Sequence, residues 1–205
     1  MAARAYDMSQ RARAVEAARN QALSAAYGLL ADSRARELSV DAVARAAGVT
    51  RATLYNQFGS RAELLLALFH ELGRRMKAER IHAAMRLPDA ELALEATLRE
   101  STRAYARQRA VIRKVFALAS LDVELGNEVE RAERQRRQSL ARLAARLVTG
   151  GHTRLAVSEA AELLAVLTSF GAFEAFAFEA GPKLAERRLL QLVRAGLSGE
   201  KGNGQ

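Results

Sequence analysis

Between residues 50 and 61 the chain collects side chains that can hydrogen-bond nucleic-acid bases and phosphates: Thr50, Arg51, Thr53, Tyr55, Asn56, Gln57 and Arg61. Arginine reaches guanine with two parallel hydrogen bonds, and asparagine or glutamine does the same for adenine. Hydroxyls and further arginines hold phosphates and fix register. On a helix opening at Thr50, the first turn (Arg51, Ala52 and Thr53) is the part that a groove-reading helix offers to base edges. Asn56 and Gln57 follow one turn later, suited to adenine or phosphate. Tyr55 can give its hydroxyl to a phosphate while its ring packs. Ser39 and Thr50 combine helix capping with backbone contact. Arg61, beside the free amides of a capped helix start, forms a natural anion site.

Two short helices must hold these groups, crossing steeply through a turn of three or four residues. From Leu38 to Leu68 the sequence meets each requirement. Ser39 caps a first helix from Val40 to Ala47, with Asp41 in the opening turn where negative charge suits the dipole. Ala44 and Ala47 are small enough for close approach, and Gly48 tolerates the positive φ that the turn needs. Thr50 caps a second helix that runs to about Gln57. Val40, Val43, Val49 and Leu54 fill the space between the two, and Leu54 and Phe58 belong to the core. Ser60-Arg61-Ala62-Glu63 fits a capping box for a third helix reaching about Met85. Ahead of the pair, apolar residues from Ala12 to Leu30 recur at three- and four-residue steps, one face of an amphipathic helix. Asp32-Ser33-Arg34-Ala35-Arg36 breaks it. Small, turn and apolar residues would serve any compact helical hairpin; the polar set around Arg51 points to duplex DNA.

This stretch resembles the TetR/AcrR family of transcriptional regulators. The resemblance rests on Ser39-Val40-Asp41, Ala44, Ala47-Gly48-Val49-Thr50, Thr53-Leu54-Tyr55, Phe58, Ser60-Arg61 and Glu63-Leu64-Leu65. It covers about the first third of the chain; past about residue 75 it is architectural only. The chain departs from the pattern at Asp32-Ser33-Arg34, where many members have a glycine, and at Arg61, where lysine is common. Arginine still suits a phosphate. The resemblance implies a homodimer on a palindromic operator, repression of nearby genes, and release when a small-molecule inducer fills the C-terminal domain.

The rest reads as a helical bundle. One helix opens at Pro88 with a stripe of Leu94, Leu98 and Tyr105, and another runs from Val111 to Ala119 and ends near Gly126. A charged helix capped by Asn127 reaches Gly150, an apolar one occupies residues 156–178, and a last one follows Gly181-Pro182 to Leu197. The expected fold is all-α with about nine helices: a helix-turn-helix DNA-binding domain over residues 1–60, a ligand-binding and dimerisation bundle over 61–197, and a disordered tail over 198–205. The apolar segment, with Gly171 and Ala172 allowing close approach, is expected to pair with the last helix in a four-helix dimer contact. Two-fold symmetry then sets the reading helices about 34–36 Å, or a multiple, apart. Tyr105, Phe116, Phe170 and Phe173 are expected in the bundle interior, as plain core or as the lining of a pocket for a largely apolar effector. The arginines of the charged helix could make a second nucleic-acid surface. Glu130 before Arg134 and Glu133 before Arg137, each at four residues, favour a salt-bridged solvated face instead.

The formal charge of +9 fits a polyanion partner, and fits equally an arginine-rich chain with solvated faces. Without cysteine there is no disulfide, thiol nucleophile or thiolate metal site. His70, His82 and His152 lack metal-ligand spacing, so no metal or cofactor is expected. No P-loop, no GxGxxG after a strand and no convincing nucleophile–base pattern appears, which argues against an enzyme. No apolar run reaches the roughly 20 residues that span a bilayer, and Met1 to Gln10 lacks a signal-peptide core. The expectation is a cytoplasmic protein with no membrane partner.

Overall fold

A computed structural model describes residues 2–32 and 38–198. The described residues form ten helices and no strand: α1 (Ala2–Ala31), α2 (Val40–Ala47), α3 (Arg51–Phe58), α4 (Arg61–Met76), α5 (Ala78–Met85), α6 (Ala90–Ala119), α7 (Val123–Thr149), α8 (Val157–Leu167), α9 (Phe170–Ala180) and α10 (Pro182–Ser198). The break expected at Ser33-Arg34 and the tail beyond Ser198 lie outside the described residues.

The chain divides into two compact units, Met1–Gly73 with Arg109–Val129, and Arg74–Gln108 with Glu130–Gln205. Helices α6 and α7 therefore each contribute to both. In the first unit α1 packs on α2 and α3, and Ala22, Ala26, Val43, Leu54, Leu65 and Leu68 are buried. The end of α1 is closed by Lys114, whose ammonium donates to the carbonyl oxygens of Leu29 and Asp32. A cation there satisfies carbonyls that the helix leaves unbonded. In the second unit Leu94, Leu140, Leu143, Leu147, Leu164 and Val193 form the centre of one core.

Several boundaries differ from the sequence reading, each for a physical reason. The two helices expected, one from Pro88 past Tyr105 and one from Val111 to Ala119, are one, α6, because no glycine or proline interrupts residues 90–119. It begins at Ala90 rather than Pro88, capped by Asp89, whose Oδ1 accepts from the Leu92 amide at 2.8 Å. Gly126 and Asn127 lie inside α7, which is capped instead by Asp122 through the Leu125 amide at 3.0 Å. Gly126 is needed for proximity: a Cβ there would sit 2.9 Å from the Ala119 carbonyl oxygen. The long helix after Ser60 ends at Met76, and Lys77 takes a left-handed φ of 56° before α5 starts. Nothing local in the sequence marks that turn.

The apolar helix expected over residues 156–178 is two helices, α8 and α9, bent by 50°. The break falls at Thr168 and Ser169: Ser169 diverts a helix hydrogen bond to its hydroxyl, and the Thr168 hydroxyl bonds back one turn. Thr168 Oγ1 donates back to Leu164 O at 2.7 Å, and Ser169 Oγ accepts from the Ala172 amide at 3.1 Å as the cap of α9. Side chains from α6 and α7 satisfy the carbonyls released there. Tyr105 donates to Thr168 O at 3.0 Å, and Arg136 to Ala165 O at 2.8 Å and Thr168 Oγ1 at 2.9 Å. Arg136 thus turns inward. The solvated ladder holds for Arg134 with Glu130 at 3.3 Å and Arg137 with Glu133 at 3.0 Å. No single helix among the described residues is long and apolar enough to cross a membrane.

Candidate nucleic-acid interface

The α2–α3 pair is fixed by local chemistry at both ends of each helix. Ser39 Oγ accepts from the Ala42 amide at 3.1 Å, and Thr50 Oγ1 from the Thr53 amide at 3.1 Å. Between them Gly48 adopts φ 66°, ψ 29°, the left-handed conformation that lets the second helix turn back. The α4 start is capped in the same way, with Ser60 Oγ accepting from the Glu63 amide at 3.1 Å.

These caps leave α3 with two distinct faces. Leu54 and Phe58 are buried, while Arg51, Ala52, Tyr55 and Asn56 are exposed. Thr53 sits at the boundary, its hydroxyl 2.9 Å from that of Thr50. Gln57 is also half-buried, with its Oε1 enclosed and without a hydrogen-bond partner, so the structure does not bring it onto the exposed face. Arg51 is oriented by two neighbours. Its guanidinium lies 6.0 Å from the Tyr55 ring centroid and pairs with Asp41 of α2 at 3.3 Å. Hydrogen bonding to Tyr55 and the Asp41 charge both raise its pKa, so it carries full positive charge. Arg61, exposed at the start of α4, donates to Asp122 at 3.0 Å.

The four aromatic residues expected together in the bundle interior do not all meet. Tyr105, Phe170 and Phe173 are buried in one cluster, with ring centroids 5.5, 5.8 and 6.3 Å apart. Phe116 is 47% exposed and belongs to the first unit. Its spacing matched the apolar stripe of α6, but the part of that stripe buried beyond Gln108 runs through Val111, Ile112 and Val115, and Phe116 lies at its exposed edge.

Residues 22–68 match the sequence model of the tetR family of bacterial regulatory proteins. The chain carries a TetR-family DNA-binding domain. Solved structures share the fold over most of the chain. A transcriptional regulator from Rhodococcus sp. Rha1 has a TM-score of 0.69 at 20% identity, covering 87% of this chain and 95% of its own. A TetR transcription regulator from Haloarcula marismortui reaches 0.71 at 15% identity, with 89% and 97% covered. One of the TetR/AcrR family from Thermobifida fusca reaches 0.68 at 20%, with 91% and 98% covered. No curated protein sequence matches the chain.

The TetR-family domain is braced by α1 in a way its sequence does not announce. Arg19 stacks over the Phe58 ring at 4.3 Å and donates to the Gln57 carbonyl oxygen, closing the end of α3. Gln21 reaches the Ala47 carbonyl oxygen at the end of α2 at 3.4 Å. Both contacts bridge 26 residues or more, so no local pattern reveals them.

Proposed function

We propose that the chain is a homodimeric repressor that reads a palindromic operator through α3 and is released by a small-molecule effector. The observation that carries this reading is the exposed face of α3: Arg51, Ala52, Tyr55 and Asn56, on a helix anchored by Leu54 and Phe58. Arg51 and Asn56 read base edges, while Tyr55 and the hydroxyls of Ser39, Thr50 and Thr53 position the helix on the backbone. By role, residues 1–60 bind DNA and residues 61–197 bind effector and form the dimer, and the protein acts in the cytoplasm. The dimer contact runs through the apolar segment, now α8 and α9, together with α10. Val166 and Leu192, large apolar residues left 59% and 43% exposed, support that assignment. Selection of bound duplexes from a random library is expected to enrich a two-fold symmetric site, and light scattering to give a dimer mass. Enrichment of no sequence over bulk competitor would end the reading.

Arg61 is proposed to hold a DNA phosphate. Free of DNA it pairs with Asp122, so binding exchanges one oxyanion for another. Arg61→Ala is expected to weaken binding to all sequences alike and to reduce the salt slope by about one. Asp122→Asn, which keeps the oxygen that caps α7, is expected to strengthen binding to all sequences alike. Salt titration of both variants checks this; an unchanged slope in Arg61→Ala removes Arg61 from the phosphate contacts.

A further inference from the structure

The second unit holds an open cleft of about 720 Å³ between α5, the α5–α6 linker and α7. Its walls carry charge in an unusual state. On α7, Arg134, Arg136 and Arg137 are paired with glutamates, and Arg131 is also engaged. Arg146 is spent on backbone: its guanidinium donates to the carbonyl oxygens of Met85, Leu87 and Pro88. Those three bonds fix the linker that forms one wall and carries Arg86. Arg86 and Arg142 both line the cleft, and their side chains have neither hydrogen bond nor ion pair among the described residues. Two guanidiniums without counter-ions in one concave site make it an anion trap, since each offers a planar fork of donors matched to a carboxylate or phosphate.

The remaining lining sets the rest of the ligand. Met85 and Leu143 are buried residues at the wall, and Leu87 and Pro88 add apolar surface beside them. Inorganic anions gain nothing from such a surface, whereas a carboxylate or phosphate with a hydrocarbon body covers it. Glu79 also faces the cleft, but one carboxylate against two free guanidiniums leaves the site positive. The volume falls in the range of small-molecule sites, roughly 300–1,000 Å³. A concave site of that size suits a compact molecule better than the continuous backbone of DNA.

We propose that this cleft binds an organic anion, its acidic head held by Arg86 and Arg142 and its apolar body lying on Met85, Leu87, Pro88 and Leu143. That such a molecule is the effector rests on the regulatory reading above; that the cleft binds it does not.

The test is a head-group series with one tail: octanoate, octyl phosphate, octanol and octylammonium, titrated by calorimetry against the full chain. The two anions are expected to bind at least about tenfold more tightly than octanol, with octylammonium weakest. Arg86→Ala/Arg142→Ala is expected to abolish the difference, and both side chains are exposed, so the core is untouched. Arg134→Ala, the same loss of charge elsewhere on α7, is expected to keep it. Equal affinity for all four, no binding of the anions, preference for the ammonium, or a preference intact in the double variant would each overturn the proposal. So would a double variant that loses duplex affinity while the wild-type protein ignores both anions, for the arginines would then serve DNA. Operator release is read in the same samples. Anion binding without release leaves the cleft assigned and sinks only its role as effector site.

Discussion

Arg51→Ala is expected to cost about 1–3 kcal/mol of operator affinity and to relax the preference at one base pair in each half-site. The size follows from the geometry of a bidentate arginine–guanine contact, which no other base edge reproduces. It follows also from the state of Arg51 before DNA arrives. Asp41 at 3.3 Å and the Tyr55 ring hold the guanidinium on the exposed side of α3, so part of its ordering cost is met within the protein. Arg51 sits in the first turn of a helix whose start is pinned by Thr50, the part that a groove-reading helix offers to base edges. Titrations on the selected operator and on an unrelated duplex separate base reading from charge. A larger loss on the operator is expected; an equal loss on both would make Arg51 a phosphate contact and move base reading elsewhere on α3.

What was legible in the sequence is what the chain decides within a few residues. The caps at Ser39, Thr50 and Ser60 each bond an amide three positions on, so residue type and spacing suffice to find them. The left-handed turn at Gly48 and the buried pair Leu54 and Phe58 are local in the same sense. What was not legible depends on partners distant in sequence or on backbone competition that periodicity ignores. Periodicity carries the apolar helix through Thr168, yet it bends there, and Arg136 and Tyr105 satisfy the freed carbonyl oxygens of Ala165 and Thr168. Phe116 keeps the spacing of a core residue and lies exposed, because it sits one position round the helix from the buried stripe of Val111, Ile112 and Val115. Asp41 reads as a helix-dipole residue, and only the crossing of α2 and α3 makes it the partner of Arg51. Asp122 was hidden in the same way, since sixty-one residues separate it from Arg61.

Gly48→Val is expected to destabilise the protein by about 2–3 kcal/mol and to abolish operator binding. The cause is conformational. A Cβ built on Gly48 would meet nothing within 4 Å, so there is room for a side chain and no neighbour to push. The residue nevertheless holds φ at 66°, where a Cβ crowds its own carbonyl and costs roughly 1–2 kcal/mol, and a β-branched residue costs more. The turn cannot relax cheaply, because the Gly48 amide bonds Arg45 O at 3.2 Å and the next amide, Val49, bonds Ala44 O at 3.0 Å. Those two bonds close α2 and aim α3, so a shift in φ would swing α3, and Arg51 and Tyr55 with it, relative to α2. A series at this position distinguishes backbone from bulk. If conformation governs, Asn, which tolerates the left-handed region, should cost less than the smaller Ala, and Val most. If side-chain volume governs, Ala should cost least. Denaturant melts read beside operator titrations give the ranking, and a valine variant that melts and binds like the parent would show that the turn does not need its glycine.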